Sequence, residues 1–112
     1  MVPIHMERGG YIYILSNYHH TVLYTGVTSD LIRRIYEHKK GLGSSFTRRY
    51  KLSKLLYYES YPTIDEAIYR EKSLKKWRRL WKEKLVSSLN PEWIDLYFEI
   101  VAREFHVPTS GK

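Results

Sequence analysis

The chain has 112 residues, 43% hydrophobic and 28% charged, with no cysteine and a formal net charge of +7. That length holds one domain around one core, and the lack of cysteine excludes a disulfide frame, a thiolate metal site and a cysteine nucleophile. No apolar run reaches membrane length and the N-terminal residues lack the apolar core of a signal peptide, so no membrane association and a cytoplasmic location are expected.

The charge is concentrated. Between Thr28 and Asn90 there are 16 Lys and Arg against 7 Asp and Glu, and the ends carry 3 against 5. A positive field of that kind suits a polyanion, because each neutralised phosphate releases counterions. A basic face kept for solubility is the plainer alternative.

Residues 1–9 have no periodicity and read as a tail. Tyr11 to Leu15 is a strand of aromatic and β-branched residues, followed by the polar run Asn17-Tyr18-His19-His20 and a second strand, Thr21 to Gly26. If those four polar residues form the loop, Ser16 faces Thr21 and Tyr13 lies opposite Tyr24, on one face of the sheet. Thr28-Ser29-Asp30 then caps a helix in which Leu31, Arg34, Ile35 and His38 recur at helical spacing. A cation and an imidazole thus sit in an apolar stripe, where a helix built only for packing would not put them.

Lys39 to Lys51 reads as a loop rich in glycine, serine and cations, able to approach a phosphate chain closely, or else as a plain helix-to-strand connection with its charges in water. Leu52 to Ser60 is the third strand. Thr63 and Glu66 make a capping box that opens the longest helix, whose inner side follows Ile64, Ala67, Ile68, Glu71, Leu74, Trp77 or Arg78, Trp81 and Leu85. Glu71 interrupts that stripe, and a carboxylate there must be protonated, paired or bound to a metal; pairing with Arg34 is the structural explanation. Many cations cover the other faces. A membrane-surface reading is disfavoured because the tryptophans fall on the side the strands need. A kink is expected near Arg79 or Leu80. Asn90 caps and Pro91 starts a final helix through Trp93, Leu96, Tyr97 and Ile100, which either covers the core or holds a second subunit.

No phosphate loop, Ser-His-Asp set, zinc-spaced histidines or helix-turn-helix stands out. The set that does is Tyr13, Tyr24, Arg34, His38 and Glu71. With Tyr11-Ile12-Tyr13 as a first motif, Tyr24-Thr25-Gly26 as a second, then Asp30, Arg34 and His38, and later Ala67, Arg70-Glu71-Lys72, Lys75-Lys76-Trp77, Asn90-Pro91 and Trp93, the chain resembles the GIY-YIG nuclease superfamily. It looks most like the small standalone bacterial members. Tyr11 stands where the first motif has glycine, with Gly10 one place earlier, and Thr25 replaces isoleucine on the face away from the chemistry.

The resemblance implies an α+β fold, a three-stranded antiparallel sheet flanked by helices, with the catalytic domain over residues 10–96 and a C-terminal helix and tail over 97–112. It implies metal-dependent hydrolysis of DNA phosphodiesters, in repair or recombination, with RNA not excluded. Glu71 would ligate one Mg²⁺ or Mn²⁺, Tyr13 would be the general base with Tyr24 assisting, Arg34 would hold the phosphate, His38 would relay a proton or position a group, and Asn90 would support the site. For Tyr13 to act as a tyrosinate at neutral pH, the metal and nearby cations must lower its pKa. Arg33, Lys39, Lys40, Arg48, Arg49, Lys75 and Lys76 are candidates for backbone contacts, which bind without reading sequence. Branched, nicked or single-stranded substrates are expected. Two other classes remain compatible with the residues: a non-catalytic nucleic-acid-binding module of a repair complex, and an interaction protein or homodimer working through the C-terminal helix.

Overall fold

The computed structural model describes residues 9–105; the tail over residues 1–8 and residues 106–112 lie outside them. The elements are β1 (Gly10–Ser16), β2 (Leu23–Thr28), α1 (Leu31–Lys39), α2 (Ser45–Arg49), β3 (Lys54–Tyr61), α3 (Ile64–Lys75), α4 (Arg79–Leu89) and α5 (Tyr97–Glu104). The three strands form the expected antiparallel sheet in the order β2-β1-β3. As the central strand, β1 is buried along its whole length, which is why it reads as a continuous apolar and aromatic run rather than an alternating one.

Alternate residues of β1 enter different cores. Tyr11, Tyr13 and Leu15 pack with Leu31 and Ile35 of α1, Leu55 of β3, and Leu96 and Ile100 at the C-terminal end. Ile12 and Ile14 pack with Leu56 and Tyr57 of β3, Ala67 and Leu74 of α3, and Val86 of α4. Helices therefore cover both faces of the sheet. Gly10 permits the close approach of α3, since a Cβ there would lie 2.8 Å from the Cβ of Ala67 and 2.8 Å from the Cα of Ile64. α5 covers the core, with Ile100 buried beside α1.

Several expectations are corrected. The hairpin loop runs over residues 17–22 rather than 17–20: the Asn17 side chain accepts from the amides of Thr21 (2.9 Å) and Val22 (3.1 Å), and His20 takes a positive φ of 62°. The register moves accordingly, and Tyr13 pairs with Gly26 while Tyr24 pairs with Leu15. Because the shift is two residues, both tyrosines keep the same face. The connection after α1 contains a short helix, α2, capped by the Ser44 hydroxyl, which accepts from the Thr47 amide at 3.2 Å. The long helix ends at Lys75 and restarts at Arg79, slightly before the expected kink, and the Arg79 guanidinium holds the carbonyls of His20 and Thr21.

Asn90 is the C-cap of α4, not the start of a helix; its amide group bonds the carbonyls of Leu56 (3.0 Å) and Ile94 (2.8 Å), and α5 begins only at Tyr97. Trp77 packs against the core, but Trp81 is 57% exposed, so the ground for placing both tryptophans inward holds for one of them. Among the described residues no helix is long and apolar enough to cross a membrane.

Candidate active site

Tyr13 occupies the centre of the site because Gly26 leaves room for it. A Cβ on Gly26 would lie 2.3 Å from the Tyr13 Cζ and 2.4 Å from its hydroxyl oxygen, so the phenol crosses the neighbouring strand where any side chain would stop it. The Tyr13 hydroxyl reaches the Nε2 of His38 at 3.0 Å. His38 comes from the last turn of α1, in register with Leu31 and Ile35 on the buried side. Asp30 sets where that helix starts, its carboxylate accepting from the Arg33 amide at 3.2 Å.

The second nitrogen of His38 is also held. Its Nδ1 lies 3.1 Å from the hydroxyl of Thr47, a buried residue of α2, and Gly43 packs so closely that a Cβ there would come within 2.3 Å of Nδ1. Neither Thr47 nor Gly43 was singled out from the sequence. The one available signal was Ser44 three residues before Thr47, a helix start inside an apparent loop.

Tyr24 stands beside this pair, its ring 6.4 Å from that of Tyr13 and 6.1 Å from that of His38, with Phe46 stacked on it at 6.0 Å. Arg34, one turn before His38, acts on the Tyr13 phenol and is steadied by Glu37, with Nη1 donating to Oε1 at 3.0 Å. Glu71, buried on α3, pairs with Lys75 at 2.7 Å, and the Lys75 ammonium lies 6.0 Å from the centre of the Tyr24 ring. The expected Glu71–Arg34 pair is thus replaced by one within α3 and one within α1 (Arg34 with Glu37). Local i,i+4 and i,i+3 partners reach these charges without ordering a long-range contact. Five residues scattered over 59 positions nonetheless converge around the Tyr13 phenol.

Burial dominates the titration of the central pair. It pushes the Tyr13 phenol up to about 12, against the opposing pull of Arg34. It lowers His38 to about 4, with the positive charge of Arg34 adding to the effect. The condition for a tyrosinate, that the metal and nearby cations lower Tyr13, is therefore not met by Arg34 alone, because loss of water outweighs one guanidinium. At neutral pH the pair is a neutral phenol on a neutral imidazole. An NMR titration of the His38 ring should show a midpoint near 4 instead of the ordinary 6.5. Since the unfolded chain takes that proton first, this stabilisation is present above pH 6.5 and lost as pH falls towards 4. A midpoint at 6.5 would mean that the ring is open to water.

The basic candidates separate into two groups. Arg33, Lys40, Arg48, Arg49, Lys75 and Lys76 are exposed. Lys39 is not with them: its ammonium is bound by the Asp95 carboxylate and the Ser53 carbonyl and lies over the rings of Tyr97 and Phe98. It ties α1 to the C-terminal segment. Arg70, next to Glu71, faces the other way and grips Glu59 through two bonds of 3.0 Å. Asn90 likewise lies apart from the five, as a clamp between α4 and β3.

The fold is a three-stranded antiparallel sheet flanked by helices, with Tyr13, His38, Arg34, Tyr24 and Glu71 drawn around one buried phenol. The chain belongs to the GIY-YIG catalytic domain family, whose model matches residues 9–84, and that family is one of nucleases. Among curated relatives it is 38% identical over 82 residues to a UPF0213 protein of Natronomonas pharaonis, spanning 73% of this chain and 95% of that one. It is 41% identical over 78 residues to one of Clostridium perfringens (70% and 83%) and 32% identical over 94 residues to one of Streptococcus pneumoniae (84% and 94%). Among solved structures, the solution NMR structure of a UPF0213 protein from Bacillus halodurans aligns with a TM-score of 0.49 at 32% identity, covering 84% of this chain and 94% of that one.

Proposed function

We propose that this protein is an endonuclease that hydrolyses DNA phosphodiester bonds with one divalent cation, selecting structure rather than sequence, in repair or recombination. The observation that carries the reading is the buried Tyr13–His38 hydrogen bond set beside Arg34, Tyr24 and Glu71, a polar and charged cluster gathered at the edge of an apolar core.

Arg34 holds the scissile phosphate and offsets charge on it as the bond breaks. Tyr13 receives the proton of the attacking water, and Tyr24 orients that water. Among the described residues no three His, Asp or Glu side chains gather to enclose an ion. One carboxylate suits Mg²⁺ or Mn²⁺ all the same, because such ions keep waters and take phosphate oxygens as ligands. Glu71 would hold it; its partner Lys75 is half exposed, so exchanging that ion pair costs little. When bound, the cation supplies Lewis-acid stabilisation to the phosphate.

Arg33, Lys40, Arg48, Arg49, Lys75 and Lys76 would meet the nucleic-acid backbone. Lys76, Trp77, Arg78 and Trp81 line a groove of about 430 Å³ at the break between α3 and α4. Its exposed Trp81 offers a face on which an unpaired base can stack, which supports a preference for branched, nicked or single-stranded DNA.

The test is cleavage of labelled branched, nicked, single-stranded and plain duplex DNA with Mg²⁺ or Mn²⁺. Wild type should cut substrates containing unpaired bases best, and Tyr13→Phe should lose about 10²- to 10⁴-fold in rate while still binding. Trp81→Ala should weaken binding to single strands more than to duplex. A wild type that binds every substrate and cuts none would leave a nucleic-acid-binding module in place of a nuclease.

A further inference from the structure

Two features of the Tyr13–His38 pair are left unexplained by the roles assigned above. Why is the far side of the histidine ring so closely enclosed, and how does a buried neutral phenol accept a proton?

The Thr47 hydroxyl answers the first. Its oxygen lies 3.0 Å from the carbonyl oxygen of Ser44 and 3.1 Å from His38 Nδ1. The Thr47 hydroxyl donates to the Ser44 carbonyl, which also accepts from the Arg48 amide, and the Ser44 hydroxyl lies 3.2 Å away as a second partner. With its single proton given to the Ser44 carbonyl, the Thr47 oxygen accepts from Nδ1–H. With its proton on Nδ1, the neutral ring presents a lone pair at Nε2, and across 3.0 Å from it stands the Tyr13 hydroxyl. Tyr13 is then the donor. The packing of Gly43 against Nδ1 and against the Thr47 hydroxyl, where a Cβ would come within 2.3 and 2.8 Å, leaves the ring little room to flip.

We infer that Thr47 is a positioning residue that fixes the Nδ1–H tautomer of His38, and that Tyr13 and His38 therefore act as a two-step proton relay in which His38 is the final acceptor. The geometry stands by itself; its catalytic consequence rests on the nuclease reading. As the water oxygen attacks phosphorus, its proton moves to the Tyr13 oxygen while the Tyr13 proton moves to His38 Nε2. The bond to the leaving oxygen breaks, and its electron pair stays with that oxygen, which takes a proton from solvent. Tyr13 ends as it began, and His38 ends as imidazolium, whose proton returns to solvent after product leaves. No free tyrosinate is formed at any point. Burial first, and then the charge of Arg34, opposes a positive ring in the free protein; the bound phosphate offsets Arg34 and brings negative charge beside the buried pair during this step.

The tautomer is read directly from the ring ¹⁵N shifts of His38 in the free protein, in wild type, Thr47→Val and Thr47→Ser. Valine keeps the shape of threonine without its hydroxyl, and serine keeps the hydroxyl. Wild type and Thr47→Ser should show the proton on Nδ1, and Thr47→Val should show a mixture or the Nε2–H form. In cleavage assays Thr47→Val should lower kcat by about 100-fold with KM little changed, because a ring with its proton on the wrong nitrogen cannot accept, and Thr47→Ser should restore it. A wild-type ring protonated on Nε2, or a Thr47→Val ring unchanged in tautomer, would overturn the inference. So would a Thr47→Val variant that shifts the tautomer and cuts at the wild-type rate. If the tautomers follow Thr47 and wild type cuts nothing, the nuclease reading fails and the role of Thr47 in holding His38 stands.

Discussion

Replacing Glu71 by glutamine should reduce phosphodiester cleavage by about 10³-fold or more, because the change removes the charge that would hold the cation while keeping the shape of the side chain. The fold should survive. Glu71 loses an i,i+4 ion pair with a half-exposed lysine, and a glutamine of the same size can still accept from that ammonium. Lys75, its charge no longer balanced, adds a net cation near Tyr24, so affinity for nucleic acid should hold or rise. Single-turnover cleavage and fluorescence anisotropy on the same samples separate the two effects. Wild-type cleavage by the variant would show that Glu71 has no part in the reaction.

Adding one methyl group at Gly26 should do comparable damage by another route. The Cβ of alanine would lie 2.3 Å from Tyr13 Cζ, 2.4 Å from its oxygen and 2.7 Å from Cε1. These atoms belong to a rigid ring that is 1% exposed, so no flexible end can swing aside. Either the strands part or the ring leaves its place, at a cost of about 1–3 kcal/mol. The melting temperature should fall by several degrees. Cleavage should fall further than the loss of folded protein explains, because the hydroxyl no longer meets His38. An unchanged melting temperature together with unchanged activity would show that the phenol does not depend on the space at Gly26.

The expectations that held are those with local causes. Asp30 and Thr63 were legible as caps, and each accepts a hydrogen bond from the amide three residues on. Of the stripe Leu31, Arg34, Ile35 and His38, three form one buried face of the helix and Arg34 is partly exposed; the aromatic run Tyr11 to Leu15 was legible as a strand. The second strand was found but its register was not, because the Asn17 side chain substitutes for backbone in a loop two residues longer than composition suggested. Tyr13 and Tyr24 shared a face only because that error was even in number.

Local signals were enough for the set of elements and the side chains they carry: two tyrosines on adjoining strands, an arginine and a histidine one helical turn apart, and a glutamate set in an apolar stripe. Those signals act over one to seven residues, through hydrogen bonds and periodicity that any local stretch displays. Long-range packing alone accounts for the hold of Thr47 on His38, the binding of Lys39 by Asp95 and Ser53, the outward face of Trp81 and the upward shift of Tyr13. Each depends on which distant surface excludes water from a group and which partner then lies within about 3 Å of it, and that is set by the packing of helices against the sheet.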